Sequence, residues 1–289
     1  MTPAVRPRRS ALFMPGANPR AMDKARTLPA DVIVFDLEDA VAPDAKGRAR
    51  DAAAAAARAG GYGGREVVIR INALGTPWGP EDVAAVARAG PHAVLVPKVE
   101  SPRAVREIDD ALRSAGAHDA MAIWCMLETP RGILEALAIA GASPRVGALV
   151  MGTSDLTKDL HARHTENRHP LVTSLGLCVL AARATGVSAL DGVHLDLDDD
   201  AGLAAACRQA RDMGFDGKTL IHPKQIDAAN SAFSPADGEV AWARRVVAAH
   251  AEAEAEGRGI TLVDGRLVEN LHVEDARRVI ALAEAIRAR

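Results

Sequence analysis

The stretch "AIWCMLETPRGI", Ala122 to Ile133, is an apolar run that ends on a glutamate and continues into a threonine and a proline. The run is continuous rather than alternating, which is typical of a parallel strand covered on both faces. It ends on Glu128, and an unpaired carboxylate is expensive to desolvate at the end of a buried strand. The stretch therefore predicts a buried parallel strand and a cationic group close to Glu128.

Seven further runs of this kind recur along the chain, and together they decide the fold class: "SALFMPG", "DVIVFDLEDA", "EVVIRIN", "HAVLVPK", "VGALVMG", "SALDGVHLD" and "GKTLIHP". Ala-rich stretches such as "SPRAVREIDDALRSAG" lie between them, with Ser, Asp or Gly-Pro at their starts and Gly at their ends, as in crossover helices. Eight β/α units in 289 residues predict an α/β protein with a (β/α)8 TIM barrel. An open doubly wound sheet is the alternative.

The last part of the chain exceeds what a barrel needs. It contains the helix-like "DGEVAWARRVVAAHAEAEAEG", a Gly-punctuated "RGITLVDGRLVEN" and a closing helix. We expect the barrel, with the substrate site, over residues 1–232 and an appended C-terminal helical lid module over residues 233–289.

Composition excludes several classes of function. Hydrophobic residues make up 48% of the chain, and the formal net charge is −3. The acidic and basic residues are scattered along the chain and are not clustered in blocks. This pattern predicts neither nucleic-acid nor membrane binding, and no window approaches the roughly 20 apolar residues of a membrane span. Cys125, Cys178 and Cys207 are too far apart for a metal or redox motif, so we expect buried thiols in a cytoplasmic protein.

Polar residues close most of the predicted strands, at the end where a barrel builds its active site. They are Asp36, Glu38, Asp39, Arg70, Asn72, Lys98, Glu128, Ser154, Asp155 and His222. Each has an ordinary explanation by itself, and Asp155 alone is as well explained as a helix cap. Together, these acids would repel one another or stay unpaired without a bound cation, which favours a divalent metal on Glu128 and Asp155 and a carboxylate ligand on Arg70.

The donor types predict which metal binds. Carboxylate oxygens with no paired His or Cys nearby favour Mg²⁺, or Mn²⁺, and two protein ligands leave positions for water or substrate. By contrast, His161, His164 and His169 fall in a polar stretch without an apolar scaffold and are not favoured as a metal site.

Two Gly-containing segments fit either a ligand-binding role or a purely structural one. "FMPGANPRAMDKA", Phe13 to Ala25, lacks the spacing of a Walker or dinucleotide loop, and its Arg20 and Lys24 fit either a phosphorylated cofactor or a solvated helix face. "GFDGKTLIHPKQI" fits either a turn that closes the barrel or a loop that faces a ligand.

The ordered series "RSALFMPG", "DVIVFDLEDAVAPDAK", "RINALGTPWGPED", "LVPKVES", "LETPRGI", "GTSDL", "DGVHLD" and "GKTLIHPKQI" resembles the citrate lyase β-subunit and malyl-CoA lyase family of CoA ester lyases. The resemblance runs from Arg9 to the C-terminal helix. It implies a barrel of the phosphoenolpyruvate/pyruvate type, Mg²⁺ dependence, and a homotrimer or hexamer whose C-terminal segments cover a neighbouring subunit's site.

The resemblance also implies roles for particular residues. Glu128 and Asp155 would hold the metal, with Asp36, Glu38 and Asp39 as supporting acids, while Arg70 and Ser154 would contact the substrate. The family's CoA contacts fall on Phe13, Met14, Asn18, Lys24, Ile221 and His222, although Asn18 stands at an often basic position. A C-terminal aspartate of the family, the acid/base, is replaced here by Glu269, which is longer by one methylene.

The implied reaction is reversible cleavage of a malyl-, methylmalyl- or citramalyl-CoA ester into acetyl- or propionyl-CoA and a 2-oxo acid, glyoxylate or pyruvate. Two alternatives stay open: a malyl-CoA-type thioesterase, and a citrate lyase β-like subunit that acts only within a complex.

Overall fold

The computed structural model describes residues 6–289, and within them eight parallel strands form a closed barrel. Neighbouring strands pair in chain order, and the last strand pairs with the first. The strands are β1 (Ser10–Pro15), β2 (Val32–Asp36), β3 (Glu66–Arg70), β4 (Ala93–Val96), β5 (Ala122–Leu127), β6 (Val146–Met151), β7 (Ser188–Asp191) and β8 (Gly217–Leu220). The predicted TIM barrel is confirmed, and the doubly wound sheet is wrong.

Helices follow the strands and surround the barrel. They are α1 (Pro19–Lys24), α2 (Lys46–Ala59), α3 (Gly79–Ala89), α4 (Pro102–Ser114), α5 (Pro130–Leu134), α6 (Ala136–Ala140), α7 (Thr153–Asp159), α8 (Val172–Thr185), α9 (Asp200–Met213) and α10 (Ile226–Phe233). The predicted start signals act as caps, since Ser101 accepts a hydrogen bond from the Ala104 N–H and Asp199 accepts one from the Gly202 N–H.

Strand residues divide between two apolar layers, which explains why the runs are continuous. One set fills the barrel interior: Ala11, Val32, Val34, Val68, Ala93, Leu95, Trp124, Met126, Ala148, Val150 and Leu190. The alternate positions, such as Leu12, Ile33 and Ile69, pack against the helices in the larger core. Because successive side chains of a strand point to opposite faces, a polar residue on the inner face at a strand's end points into the barrel mouth.

The cysteines are buried and free, as the sequence predicted. Burial raises the pKa of Cys125 to about 12, and it also raises the pKa values of Cys178 and Cys207. Thiols held in this protonated state are poor nucleophiles and poor metal ligands.

The chain divides into two compact units, one spanning Arg8–Phe233 and the other Ser234–Arg289 together with Arg6 and Pro7. The second unit contains α11 (Asp237–Ala255), β9 (Thr261–Val263), β10 (Arg266–Val268) and α12 (Asn270–Arg287). Its two strands form an antiparallel hairpin whose turn places Asp264 and Gly265 at φ of 49° and 75°. The two helices coincide with the helix-like segments of the sequence, but the hairpin between them, in the Gly-punctuated "RGITLVDGRLVEN", was not predicted. Across residues 6–289, no helix is both long and apolar enough to span a bilayer.

Candidate active site

A cavity of about 400 Å³ opens at the C-terminal ends of the barrel strands. Its wall combines a polar side with an apolar side. The polar side includes Asp36, Asp39, Arg70, Glu128, Ser154 and Asp155, and the apolar side includes Phe13, Met126, Met151, Val193, Leu195 and Ile221. A concave, mostly apolar site with a few converging charges is the usual form of a small-molecule pocket.

Arg70 ends β3 and is only 7% exposed. Its Nε and Nη2 donate to the two carboxylate oxygens of Asp36 at 2.6 and 2.7 Å, and its guanidinium lies 4.9 Å from the centre of the Phe13 ring. Its Nη1 donates to Asp39 at 3.3 Å and lies 2.8 Å from Glu38 Oε2, an ion pair without the alignment of a hydrogen bond. The expectation that the acids stay unpaired without a metal is therefore wrong for Asp36, Glu38 and Asp39, because each of them pairs with Arg70.

These contacts shift the pKa values of Asp36 and Arg70 in the directions that an ion pair requires, whereas burial dominates at Glu38. Burial alone would raise the pKa of Asp36, but the hydrogen bonds and charge of Arg70, together with the backbone N–H groups of Glu38 and Ala40, outweigh burial and lower it. Burial alone would lower the pKa of Arg70, but Asp36, with Glu38 and Asp39, outweighs that effect and raises it. Burial raises the pKa of Glu38, against the opposing effects of Arg70 and Lys98.

Glu128 follows β5 directly and is 3% exposed. Thr129 then caps α5 by accepting the Gly132 N–H at 3.1 Å, so the strand-to-helix turn fixes the carboxylate at the mouth. Gly152 lies against it, since a Cβ at that position would stand 2.5 Å from Glu128 Oε2. Burial raises the pKa of Glu128 to about 7, and the nearby Lys98 ammonium lowers it in part.

Lys98 is the cation that meets Glu128, and the sequence analysis assigned it no role. Its Nζ lies 3.1 Å from Asp155 Oδ2, 3.0 Å from Glu38 Oε1 and 4.0 Å from Glu128 Oε1. Its backbone N–H donates to Glu128 Oε1 at 2.7 Å. Glu128 and Asp155 thus approach a single nitrogen, although 27 residues separate them in the chain. The available signal was the position of Lys98 just beyond β4.

The donor set fits a hard divalent ion. Asp155 lies in the first turn of α7, next to Ser154, and its carboxylate and that of Glu128 offer oxygens to one region of the cavity. In the described part of the chain, no group of three or more His, Cys, Asp or Glu residues is arranged to hold a metal ion. An ion here would have two protein ligands and open positions. His161, His164 and His169 are exposed in the segment after α7 and form no such group.

Three of the predicted CoA contacts lie on β1 or directly after β8, and only two of them face the cavity. Phe13 and Ile221 line the cavity, so their side chains are available to a ligand there. Met14 is 6% exposed and packs in the layer between strands and helices, because it alternates with Phe13 along β1. Its side chain therefore does not line the cavity.

The other predicted CoA contacts lie at exposed positions outside the cavity wall. Asn18 caps α1 by accepting the Ala21 N–H at 3.1 Å, and Lys24 is exposed in the last turn of that helix. His222 accepts the Lys224 N–H through Nδ1 at 3.2 Å in the turn after β8. A CoA role for these three residues stays a prediction.

Glu269 belongs to the second unit, immediately before α12. Its backbone N–H donates to His272 Nδ1 at 3.1 Å, which fixes the start of the helix. Its role as an acid/base group in a neighbouring subunit stays a prediction.

Comparison with known proteins points to one family. Residues 9–223 match the protein-family model described as HpcH/HpaI aldolase/citrate lyase. A (3S)-malyl-CoA thioesterase of Cereibacter sphaeroides is 48% identical over 282 residues, which cover 98% of this chain and 96% of that protein. A citrate lyase subunit beta of Escherichia coli is 35% identical over 284 residues, covering 96% of this chain and 94% of that subunit.

A solved structure extends the similarity to three dimensions. It is that of protein CitE from Mycobacterium tuberculosis in complex with magnesium, acetoacetate and coenzyme A. The two chains are 32% identical, with a TM-score of 0.77 over 97% of this chain and 99% of the other.

Proposed function

The chain belongs to the HpcH/HpaI aldolase/citrate lyase family, and we propose that it is a Mg²⁺-dependent enzyme acting on a malyl-CoA-type ester. The observation that carries the proposal is that Glu128 and Asp155 both approach Lys98 Nζ and both line the cavity that Arg70 also lines. Mn²⁺ would satisfy the same oxygen ligands. The magnesium and coenzyme A bound to the M. tuberculosis relative support the choice of metal and of substrate class.

The reaction that we propose first is hydrolysis of the thioester to free CoA and the hydroxy acid. The 48% identity to malyl-CoA thioesterases over nearly the whole chain favours it. Cleavage of the carbon–carbon bond is the second candidate, and the 35% identity to citrate lyase subunit beta favours that reaction. Both reactions place negative charge on an oxygen of the substrate, so both draw on the same cationic site.

Each side chain has a definite task in this proposal. Glu128 and Asp155 hold Mg²⁺, which when bound supplies a Lewis acid for the substrate oxygens. Arg70 contributes positive charge beside them, while Asp36 occupies its Nε and Nη2 and Glu38 and Asp39 lie against its Nη1. Ser154 lies next to Asp155 on the cavity wall and offers a hydroxyl. Glu269, from a neighbouring subunit of a homotrimer or hexamer, accepts a proton from water or from the substrate hydroxyl.

The CoA portion of the substrate then extends from the cavity along the loops after β1 and β8. Phe13 and Ile221 contact it from the cavity wall, whereas the side chain of Met14 packs between strands and helices. Asn18, Lys24 and His222 lie on the exposed side of the same two loops, where solvent-facing nucleotide and phosphate groups fit best.

Product analysis of the purified protein tests the proposal. With malyl-CoA and Mg²⁺, we expect free CoA and intact malate in equal amounts, and no turnover with EDTA. Acetyl-CoA and glyoxylate would establish the second candidate instead. Glu128→Gln and Asp155→Asn should each lower kcat/KM by about a hundredfold or more, because each removes one ligand of the metal. Asp159→Asn, one turn further along α7, is the matched control and should keep full activity. Metal-independent turnover would contradict the proposal.

A further inference from the structure

Lys98 has a backbone conformation that few side chains adopt. Its φ of 49° lies in the left-handed region, which is costly for a residue other than glycine. Strain of this kind persists where the surroundings fix it, and it clusters at functional sites. Here the turn directs the Lys98 N–H toward Glu128 Oε1 at 2.7 Å while the side chain reaches Asp155 and Glu38.

The ammonium gathers acids that come from three separate parts of the barrel. Glu38 follows β2, Glu128 follows β5, and Asp155 lies in α7 after β6. Because like charges would push these carboxylates apart, a shared cation holds them near one another. The Lys98 side chain is 43% exposed, so it has room to move without unpacking the barrel.

A divalent ion and the ammonium are attracted to the same oxygens. Two cations within a few ångströms repel each other, so an ion bound by Glu128 and Asp155 must push the ammonium away from them. Glu38 provides the position to which it retreats, since its Oε1 already accepts from Lys98 Nζ at 3.0 Å.

Building on the proposed function, we propose that Lys98 is a positioning residue that preassembles Glu128 and Asp155 and competes with Mg²⁺ for their oxygens. The ion enters by displacing the ammonium toward Glu38. As a result, the site binds Mg²⁺ less tightly than its two carboxylates alone would, and its acids are stable without the ion.

The test measures Mg²⁺ affinity by titration calorimetry and the midpoint of thermal unfolding in EDTA, both on the full-length protein. Lys98→Met keeps an unbranched side chain one heavy atom shorter than lysine and removes its charge. We expect Mg²⁺ to bind about tenfold more tightly or better, and the midpoint in EDTA to fall by about 3 °C or more. Saturating Mg²⁺ should recover most of that loss.

Lys98→Gly is the second variant, because glycine adopts a positive φ without strain and keeps the N–H bond to Glu128. It should also bind Mg²⁺ more tightly, and it is measured even if Lys98→Met fails to fold. Lys158→Met removes the same charge from an 82% exposed position on α7 and should leave the Mg²⁺ affinity unchanged.

Unchanged or weaker Mg²⁺ binding in the folded Lys98 variants would overturn the inference. Glu128→Gln separates this result from a failure of the proposed function. If wild type binds Mg²⁺ and Glu128→Gln does not, the metal site stands and only the role of Lys98 is wrong. If wild type and Glu128→Gln show the same binding, the metal assignment fails, and this inference fails with it.

Discussion

Asp36 holds Arg70 by two short hydrogen bonds, and this pair is the rigid part of the site. The two residues are register partners at the ends of β2 and β3, so the barrel itself brings them side by side. Asp36 is 1% exposed, and its backbone neighbours Glu38 and Ala40 donate N–H groups to its two oxygens at 2.9 and 3.0 Å. Because all of these partners occupy its two oxygens, we infer that Asp36 holds Arg70 in place and does not bind a metal.

Asp36→Asn should therefore destabilise the fold, because it leaves a buried guanidinium without its principal counter-charge. We expect the free energy of unfolding in urea to fall by about 3 kcal/mol. Asp39→Asn is the control, since the side chain of Asp39 is 65% exposed and its removal should cost about 1 kcal/mol or less. Equal effects of the two substitutions would contradict this assignment.

The effect of Asp36→Asn should also depend on pH in a definite direction. The folded pKa of Asp36 is lowered, so its stabilising contribution is complete above the unfolded pKa of about 3.9 and is lost as the pH falls through the folded value. The stability difference between wild type and Asp36→Asn should be constant from about pH 6 to 8 and shrink below about pH 4.

At this scale the sequence predicted which residues reach the barrel mouth but not which of them pair. Polar residues after apolar runs identified Arg70, Glu128 and Asp155, because strand ends converge in a barrel. The pairing of Arg70 with Asp36 depends on strand register, and the reach of Lys98 depends on one left-handed residue. An apolar run predicts neither the register between two strands nor the left-handed conformation of one residue beyond a strand.

Among the elements, α7 and the turn before it place Asp155 against β5. Gly152 precedes the helix and touches Glu128 so closely that a Cβ would meet the Glu128 Cβ and Oε2 at 2.3 and 2.5 Å. Its φ of −100° is ordinary for any residue, so contact rather than backbone freedom requires glycine here. The separation of α7 from β5 thus sets the position of Asp155 relative to Glu128.

Gly152→Ala should displace α7 from Glu128. We expect Mg²⁺ affinity to fall by about tenfold or more, because the geometry of a Mg²⁺ site tolerates little displacement of a ligand. Gly176→Ala in α8 is the matched control, since a Cβ there meets nothing within 4 Å, and alanine favours a helix interior by about 0.5–1 kcal/mol. Calorimetry that shows equal Mg²⁺ affinity in both variants would refute this role of Gly152.

The elements themselves were largely predictable where a strong pattern extends over several residues. All eight barrel strands coincide with the apolar runs, and the caps of α4 and α9 coincide with the predicted helix starts. The hairpin of β9 and β10 was missed because three-residue strands are too short to show alternation. Its Asp264-Gly265 turn was the available signal, since this dipeptide favours the tight turns of hairpins.

For the whole molecule, the division into two units separates the proposed catalytic groups. Glu128, Asp155 and Arg70 lie in Arg8–Phe233, whereas Glu269 lies in the unit that begins at Ser234. We propose that this second unit serves a neighbouring subunit, as the sequence analysis expected of residues 233–289. The assembled site would then need two copies of the chain.

Mixing two inactive variants tests this arrangement. Co-expressed Glu128→Gln and Glu269→Gln chains should regain about a quarter of wild-type activity, because a random ring contains that fraction of intact sites. A mixture of Glu128→Gln with Asp155→Asn should regain none, since both defects fall in the same unit of each site. If the mixture of Glu128→Gln and Glu269→Gln chains regains no activity, Glu269 does not act across subunits.

Anomalous scattering of Mn²⁺ in crystals of the wild-type protein tests whether Glu128 and Asp155 hold the metal. We predict one strong peak at bonding distance from a carboxylate oxygen of Glu128 and one of Asp155, with the Lys98 ammonium turned toward Glu38. A map with no peak between these two carboxylates, at a Mn²⁺ concentration that supports turnover, would contradict the account.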